Sequence, residues 1–171
     1  MKMQETVLFK GNPVTLLGPR LSVGDAAPDA MAVDNALGVV SMAGSYPGSI
    51  KIISTVPSLD TPVCDAETRR FNQEVATLPE NVVLLTVSMD LPFAQKRWCA
   101  AAGIDRVVTL SDYRERAVGM QYGVMIEGLL LLSRAVFVVD ADNIIRYIQQ
   151  VPEVTTEPDY AAVMDAVKAL L

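Results

Sequence analysis

The 171-residue chain is 51% hydrophobic and carries a formal net charge of −6. Its length fits a single domain, residues 1–171, and so large an apolar share excludes intrinsic disorder. Lysine and arginine form no cluster longer than a pair, which argues against a nucleic-acid-binding protein. The sequence shows neither a signal peptide nor an apolar run of membrane-spanning length, so we expect a cytoplasmic protein without a membrane partner.

The first half of the chain begins with strand signals. Residues 5–17 alternate loosely around the turn sequence KGNP, which predicts a β-hairpin. Residues 21–49 contain scattered Gly, Pro, Asp and Ser and predict short strands between loops. Residues 49–56 (SIKIISTV) form a β-branched run that is typical of a buried strand. Apolar residues at helical spacing then predict a helix over residues 64–78.

The middle of the chain alternates between strand and helix patterns. Residues 82–89 (VVLLTVSM) predict a second buried strand. Residues 92–102 predict a helix, since a proline opens the segment and a glycine follows it. Residues 107–110 predict a short strand. Asp112 is placed to cap a further helix that runs to about Tyr122.

The C-terminal part adds a hairpin and a last helix. Residues 135–139 and 144–151 flank an Ala-Asp-Asn turn sequence. One face of the last helix is predicted to hold six apolar residues: Tyr160, Val163, Met164, Val167, Leu170 and Leu171. Successive strand–helix units followed by a hairpin predict an α/β protein with a mixed central sheet and helices on both faces.

This order of elements fits a thioredoxin-like fold with an N-terminal β-hairpin. Chain order alone would also allow a flavodoxin-like sheet. No glycine-rich phosphate loop follows the first core strand, however, so we do not expect a nucleotide cofactor.

Cys64 lies at the predicted start of a helix, after a loop that contains Pro57 and Pro62. Free cysteines are most often buried and inert. Here, however, the thiol would face unpaired backbone N–H groups and the positive end of a helix dipole, and both favour the thiolate. The chain has no histidine, and a thiolate that is already formed needs no such base.

Ionisation alone does not make a fast thiol enzyme. Converting an ordinary thiol fully to thiolate at neutral pH gains at most about thirtyfold, or about 2 kcal/mol of barrier. Attack on a peroxide breaks the O–O bond and builds negative charge on the leaving oxygen, which hydrogen-bond donors stabilise. The hydroxyl of Thr61, three residues before the sulfur, and a guanidinium from elsewhere in the chain are suitable donors.

Pro57, Thr61 and Cys64 match the PxxxTxxC motif of peroxiredoxins. The chain more narrowly resembles the bacterial thiol peroxidases, which are atypical two-cysteine peroxiredoxins. Four blocks in the right order carry this resemblance: SLDTPVCDAETRRFN, SMDLPFAQKRWC, RAVFVVD and VPEVTTEPDY. The N-terminal FKGNPVTLLG is also similar to that subfamily, so the resemblance covers nearly the whole chain.

The resemblance implies an antioxidant enzyme that reduces hydrogen peroxide and organic hydroperoxides. Cys64 takes the place of the peroxidatic cysteine, which becomes a sulfenic acid, and Cys99 that of the resolving cysteine, which closes a Cys64–Cys99 disulfide. Thr61 matches the threonine whose hydroxyl contacts sulfur and substrate. Pro57 matches the proline that shields the site from water, and Arg134 the arginine that stabilises the thiolate and the peroxide. The family also implies thioredoxin as reductant, a homodimer, and no bound cofactor or metal.

Several alternatives stay open from the residues alone. Thr61 could be a turn residue with a local hydrogen bond, and Pro57 could simply stiffen its loop. Cys99 could pack in the core beside Trp98. A thioredoxin-like reductase or isomerase would usually carry a C-x-x-C pair, which this sequence lacks. A redox sensor on the same fold would form the disulfide without turnover.

Two features depart from the family's pattern. Trp98 precedes Cys99 where the family often has phenylalanine. The segment GVMIEGLLLLSR before Arg134 is unusually rich in leucine. Its leucines could shape a pocket for bulky organic hydroperoxides, bury against a second subunit, or form a plain buried strand.

The predicted disulfide requires a change of conformation. A disulfide needs Cα atoms about 4.4–6.8 Å apart, and cysteines in two separate helices are not expected to be that close. We therefore expect the turn around Cys64 and part of the Cys99 helix to unwind.

Overall fold

Ten strands and four helices follow one another along residues 4–171, which the computed structural model describes. In chain order they are β1 (Thr6–Phe9), β2 (Asn12–Leu17), β3 (Met31–Val33), β4 (Val39–Ser41), β5 (Ile50–Thr55), α1 (Pro62–Val75), β6 (Val82–Ser88), α2 (Pro92–Ala102), β7 (Val107–Ser111), α3 (Ala117–Gln121), β8 (Met125–Ile126), β9 (Ala135–Val139), β10 (Ile145–Gln150) and α4 (Tyr160–Lys168).

A seven-stranded sheet of order β10-β9-β5-β6-β7-β3-β4 forms the centre of the fold. Strands β5, β6 and β7 run parallel to one another, whereas β9 runs antiparallel to β5 and pairs with β10 at the edge. All residues of β5 are buried, as its β-branched sequence predicts for a strand covered on both faces. The sheet is therefore mixed, with a parallel centre and antiparallel edges, as predicted.

Helices cover both faces of this sheet. On one face, α1 and α4 contribute Phe71, Val75, Val163 and Val167 to a cluster with alternate residues of β5, β6 and β9. On the other face, α3 and the segment after it pack Val118 and neighbouring residues against the opposite side of the same strands. Along residues 4–171, no helix combines the length and the apolar character that a membrane span requires.

The predicted N-terminal hairpin forms and joins a second, three-stranded sheet of order β1-β2-β8. Its tip is tied to the segment after β10, because the Glu153 carboxylate accepts the backbone N–H groups of Lys10 and Gly11, each at 3.0 Å. Leu8 and Val154 add a backbone hydrogen bond of 2.8 Å. The hairpin is therefore fixed to the C-terminal part of the domain.

Helix α1 begins at Pro62, two residues before the predicted start. Proline suits the first position of a helix, because the backbone N–H that it lacks would have no partner there. Cys64 is consequently the third residue of α1.

The predicted helix after Asp112 is shorter than expected, since α3 spans only five residues and has Arg116 as its N-cap. Asp112 still caps it, accepting the backbone N–H groups of Val118 and Gly119 at 3.0 and 2.8 Å.

The structure excludes one open alternative for the apolar residues and corrects one prediction. The leucine-rich segment is not a plain buried strand, because only the two residues of β8 pair and the chain then turns at Gly128 and Leu130, both with positive φ. Leu129 and Leu130 are consequently exposed. Leu171, predicted on the apolar face of the last helix, lies beyond the end of α4 and is 58% exposed.

We predict that Glu153 stabilises the hairpin tip only when it is ionised. The Thr155 hydroxyl and the backbone N–H groups around it lower the pKa of Glu153 from 4.5 to about 2. This stabilisation is therefore complete above pH 4.5 and is lost as the pH falls toward 2. At about pH 6, the backbone amides of Lys10 and Gly11 should exchange more slowly in the native chain than in Glu153→Gln. This difference should vanish on acidification. The charge-matched Glu80→Gln should leave this protection unchanged at every pH.

Candidate active site

A buried arginine organises the region around Cys64. Arg134 is 1% exposed, and its Nη2 lies 3.2 Å from the Cys64 Sγ, which is itself buried. Its Nη1 donates to the Glu67 Oε2, and its Nε donates to the carbonyl of Val154 at 2.9 Å. Each guanidinium nitrogen therefore has a partner, although the side chain is shielded from water.

The fold explains why these residues meet. Cys64 and Glu67 are three residues apart on α1, so they share one face of the helix. Arg134 immediately precedes β9, whose first residue, Ala135, pairs with Thr55 at the end of β5. The end of β5, the start of α1 and the start of β9 therefore converge at one edge of the sheet.

The electrostatics keep the guanidinium charged. Burial lowers the pKa of the Arg134 guanidinium, but the Glu67 carboxylate and Cys64 outweigh this effect, so the pKa lies above its ordinary value. Burial raises the pKa of the Glu67 carboxyl, against the opposing effects of Arg134 and of the Ser54 hydroxyl, which donates to its Oε1 at 2.8 Å. A positive charge thus faces both a carboxyl group and a sulfur.

The start of α1 supplies a second favourable environment for negative charge. The first intrahelical hydrogen bond runs from the Asp65 N–H to the Thr61 carbonyl at 3.0 Å. The N–H groups of Val63 and Cys64 come before it and have no carbonyl partner within the helix. A thiolate at Cys64 would therefore be stabilised by these N–H groups and by the helix dipole.

Thr61 lies beside this site, and its hydroxyl donates to the Ser58 carbonyl at 2.9 Å. The local hydrogen bond that the sequence left open as an alternative is thus present. Its proton is engaged, so the hydroxyl oxygen offers only lone pairs to a bound molecule. Asp90 holds the same loop in place, accepting from the Ser58 hydroxyl and the Leu59 N–H at 2.7 and 2.8 Å.

A cavity of about 280 Å³ leads to Arg134. Pro57 and Thr61 line it as well, so the structure brings three predicted site residues together around one opening. The remaining wall is mostly apolar and includes Phe9, Pro62, Val63, Leu131 and Val154. A larger cavity of about 450 Å³ lies elsewhere and has none of the predicted site residues in its wall, so the smaller one is the candidate substrate site.

Cys99 stands apart from the other predicted site residues. It lies on α2, half-buried, with its Sγ 3.5 Å from the Thr109 hydroxyl of β7. Both cysteines are free, and the side chain that packs beside Cys64 from α2 is Trp98. The structure therefore holds the two sulfurs in separate environments, as expected for the reduced form.

Sequence reasoning missed Glu67 and Asp90. Glu67 could have been found, because a carboxylate three residues after Cys64 shares its helical face and so points toward the same cluster. Asp90 carries no such signal, since its contact with the loop at Ser58 depends on how β5 and β6 end side by side.

Comparison with known proteins agrees with this geometry. The Redoxin family model matches residues 22–164. The thiol peroxidase of Oceanobacillus iheyensis is 59% identical over 158 residues, covering 92% of this chain and 95% of that protein. The thiol peroxidase of Halalkalibacterium halodurans is 52% identical over 166 residues, covering 97% and 99%. A peroxiredoxin-like protein from Aquifex aeolicus has a crystal structure that superposes with a TM-score of 0.91, at 48% identity and 97% coverage of both chains.

A thioredoxin-like fold of the peroxiredoxin type, with a cysteine at a helix start beside a buried arginine, defines the class as a thiol-dependent peroxidase. Within the Redoxin family, the chain belongs to the bacterial thiol peroxidases. The individual roles of Cys64, Cys99, Thr61, Pro57 and Arg134 stay predictions.

We predict that Glu67→Gln strongly destabilises the fold, because it leaves the buried Arg134 without its carboxylate. Removing one partner of a buried ion pair costs about 3–5 kcal/mol. Glu74→Gln is the matched control, since Glu74 and Arg70 form a pair on the surface of the same helix that is worth less than about 1 kcal/mol. Urea denaturation of both variants checks this prediction. Equally small losses of unfolding free energy in the two variants would contradict it.

Proposed function

We propose that this thiol peroxidase reduces hydrogen peroxide and organic hydroperoxides through Cys64, with Cys99 as the resolving cysteine and a thioredoxin-type dithiol as reductant. One observation carries the proposal. The Cys64 sulfur is 3.2 Å from a buried guanidinium that also lines a mostly apolar cavity. A thiolate and an entering peroxide can therefore share the same positive group.

In the first step, the Cys64 thiolate attacks the terminal oxygen of the hydroperoxide. An S–O bond forms while the O–O bond breaks, so the sulfur loses two electrons and becomes a sulfenic acid. The leaving alkoxide, or hydroxide from hydrogen peroxide, takes a proton and departs as alcohol or water. Arg134 stabilises both the thiolate and the charge that develops on the leaving oxygen.

Thr61 and Pro57 prepare the substrate for this step. Because the Thr61 hydroxyl already donates to the Ser58 carbonyl, its oxygen accepts the O–H of the peroxide and orients the terminal oxygen toward sulfur. Pro57 lines the same cavity and limits the access of water. The role of Thr61 is thus to accept a hydrogen bond rather than to donate one.

In the second step, the Cys99 thiol condenses with the Cys64 sulfenic acid to give a disulfide and water. The thiols stand on different helices, and Cys99 contacts Thr109 on β7, so the first turn of α1 and part of α2 must unwind. Gly103, in the left-handed conformation at the C-terminal end of α2, marks one boundary of the segment that moves. A dithiol of the thioredoxin type then reduces the disulfide by exchange.

Membership of the family supports a proposal for assembly and location. We propose a homodimer, as the sequence resemblance implies. Because a thioredoxin-type reductant works where thiols are kept reduced, we propose the cytoplasm as the place of action.

A coupled assay with thioredoxin, its reductase and NADPH tests this mechanism. With the native chain, either hydrogen peroxide or cumene hydroperoxide should drive rapid loss of NADPH. Cys64→Ser should abolish turnover, because it removes the nucleophile. Cys99→Ser should still consume about one equivalent of peroxide per chain but should not turn over with thioredoxin. Full activity of Cys64→Ser would refute the assignment, and a single disulfide-forming event without turnover would indicate a sensor or another reductant.

We predict that Leu131 contributes to recognition of bulky hydroperoxides. Its side chain lines the cavity, so Leu131→Ala should lower kcat/KM for cumene hydroperoxide by about tenfold relative to hydrogen peroxide, because three carbons that would contact the bulky substrate are removed. Leu129→Ala is the matched control, since Leu129 lies in the same segment but is exposed. Equal losses for the two peroxides in Leu131→Ala would show that the cavity wall does not select the substrate.

A further inference from the structure

Three side chains link α1 to α2 beside the two cysteines. The Trp98 indole N–H donates to the Asp65 Oδ1, and the Arg69 Nε donates to the Asp65 Oδ2, both at 2.8 Å. The Arg69 guanidinium also lies 5.7 Å from the centre of the Trp98 ring. A further contact joins Arg69 to the carbonyl of Ala102, the last residue of α2, at 3.4 Å. We call Asp65, Arg69 and Trp98 the interhelix brace.

The brace joins the chain neighbours of both sulfurs. Asp65 directly follows Cys64, and Trp98 directly precedes Cys99. The Trp98 side chain packs against the apolar cluster formed by Val56, Leu59 and Cys64.

Trp98 therefore occupies the side of α2 that faces Cys64. Adjacent residues of a helix are about 100° apart around its axis. Cys99 accordingly faces β7, where its sulfur contacts Thr109. We infer that, for the two sulfurs to bond, the Trp98 ring leaves the cluster around Cys64 and its hydrogen bond to Asp65 breaks.

We propose that Asp65, Arg69 and Trp98 are positioning residues that set the rate of Cys64–Cys99 disulfide formation. This inference rests on the proposed function, because it assumes that Cys99 is the resolving cysteine. The brace holds Cys64 in the arrangement that reacts with peroxide, and it must open before Cys99 can reach the sulfenic acid.

The brace consequently controls a competition between two reactions of the sulfenic acid. In one, the Cys99 thiol condenses with Cys64–SOH to give the disulfide and water. In the other, a second hydroperoxide transfers an oxygen atom to Cys64–SOH, giving the sulfinic acid and an alcohol or water. A stronger brace delays the first reaction and leaves more time for the second.

The first test is a rapid-quench comparison of Trp98→Phe with the native chain. Phenylalanine keeps an aromatic ring beside Cys64 but lacks the N–H that donates to Asp65. A hydrogen bond of this kind is worth about 0.5–1.5 kcal/mol, so disulfide formation should become about twofold to twelvefold faster relative to the peroxide step. Mass spectrometry should show that the peroxide concentration needed for half-maximal sulfinic acid rises by a similar factor.

Two further variants separate the brace from general effects on the helix. Asp65→Ala removes the acceptor of both brace hydrogen bonds and should accelerate disulfide formation at least as much as Trp98→Phe. Glu74→Gln is the matched control, because the Arg70–Glu74 pair has the same spacing on α1 as Arg69–Asp65. It should leave the ratio of disulfide to sulfinic acid unchanged. Unchanged or slower disulfide formation in folded Trp98→Phe and Asp65→Ala would overturn the proposal.

The fluorescence of Trp98, the single tryptophan of the chain, gives an independent readout. One equivalent of peroxide should change the emission of the native chain in step with disulfide formation. The same change should be absent in Cys99→Ser, which stops at the sulfenic acid. Emission that stays constant while the native disulfide forms would show that Trp98 does not move, and would overturn the proposal. If no peroxide were consumed at all, the proposed function itself would fail, which is a distinguishable result.

Discussion

A positive charge buried in the protein is the constraint on which the rest of the site depends. An unpaired ion inside a protein costs several kcal/mol, so Arg134 can stay charged only if every part of its guanidinium is compensated. The partners are Glu67 and Cys64 on α1 and the carbonyl of Val154 after β10. Hydrogen bonding of this one side chain therefore fixes α1, the start of β9 and the segment after β10 relative to one another. The Cys64 sulfur is positioned because it is one of the partners.

The same constraint couples the chemistry to local stability. In the proposed mechanism, the thiolate is one of two negative groups beside Arg134, and its oxidation to a neutral sulfenic acid leaves Glu67 as the remaining anion. The contact that holds the start of α1 against the arginine is thereby weakened at the moment when Cys64 must move toward Cys99. Peroxide reduction and the loosening of the helix would thus be successive results of one change in charge.

The fold and most of the candidate site were predictable from the sequence because their signals are local. The β-branched run of β5, the proline and glycine that bound α2, and the turn between β9 and β10 each specify an element without help from distant residues. The course of the leucine-rich segment stayed open between three alternatives, because apolar composition indicates burial but does not show where Gly128 and Leu130 turn the chain. Asp90 and the contact of Trp98 with Asp65 could not be predicted, since each joins segments about 30 residues apart whose approach depends on the packed structure.

The tie between the hairpin tip and Glu153 has a consequence for how such enzymes can diverge. Phe9 and Lys10 line the cavity from the N-terminal hairpin, whereas Cys64 lies on α1 and Arg134 directly precedes β9 of the central sheet. In the proposed mechanism, part of the wall that meets the organic group of the peroxide is therefore supplied by a structural module distinct from the one that carries the reactive sulfur. Sequence drift in the hairpin can alter the range of accepted peroxides while the redox chemistry is inherited intact.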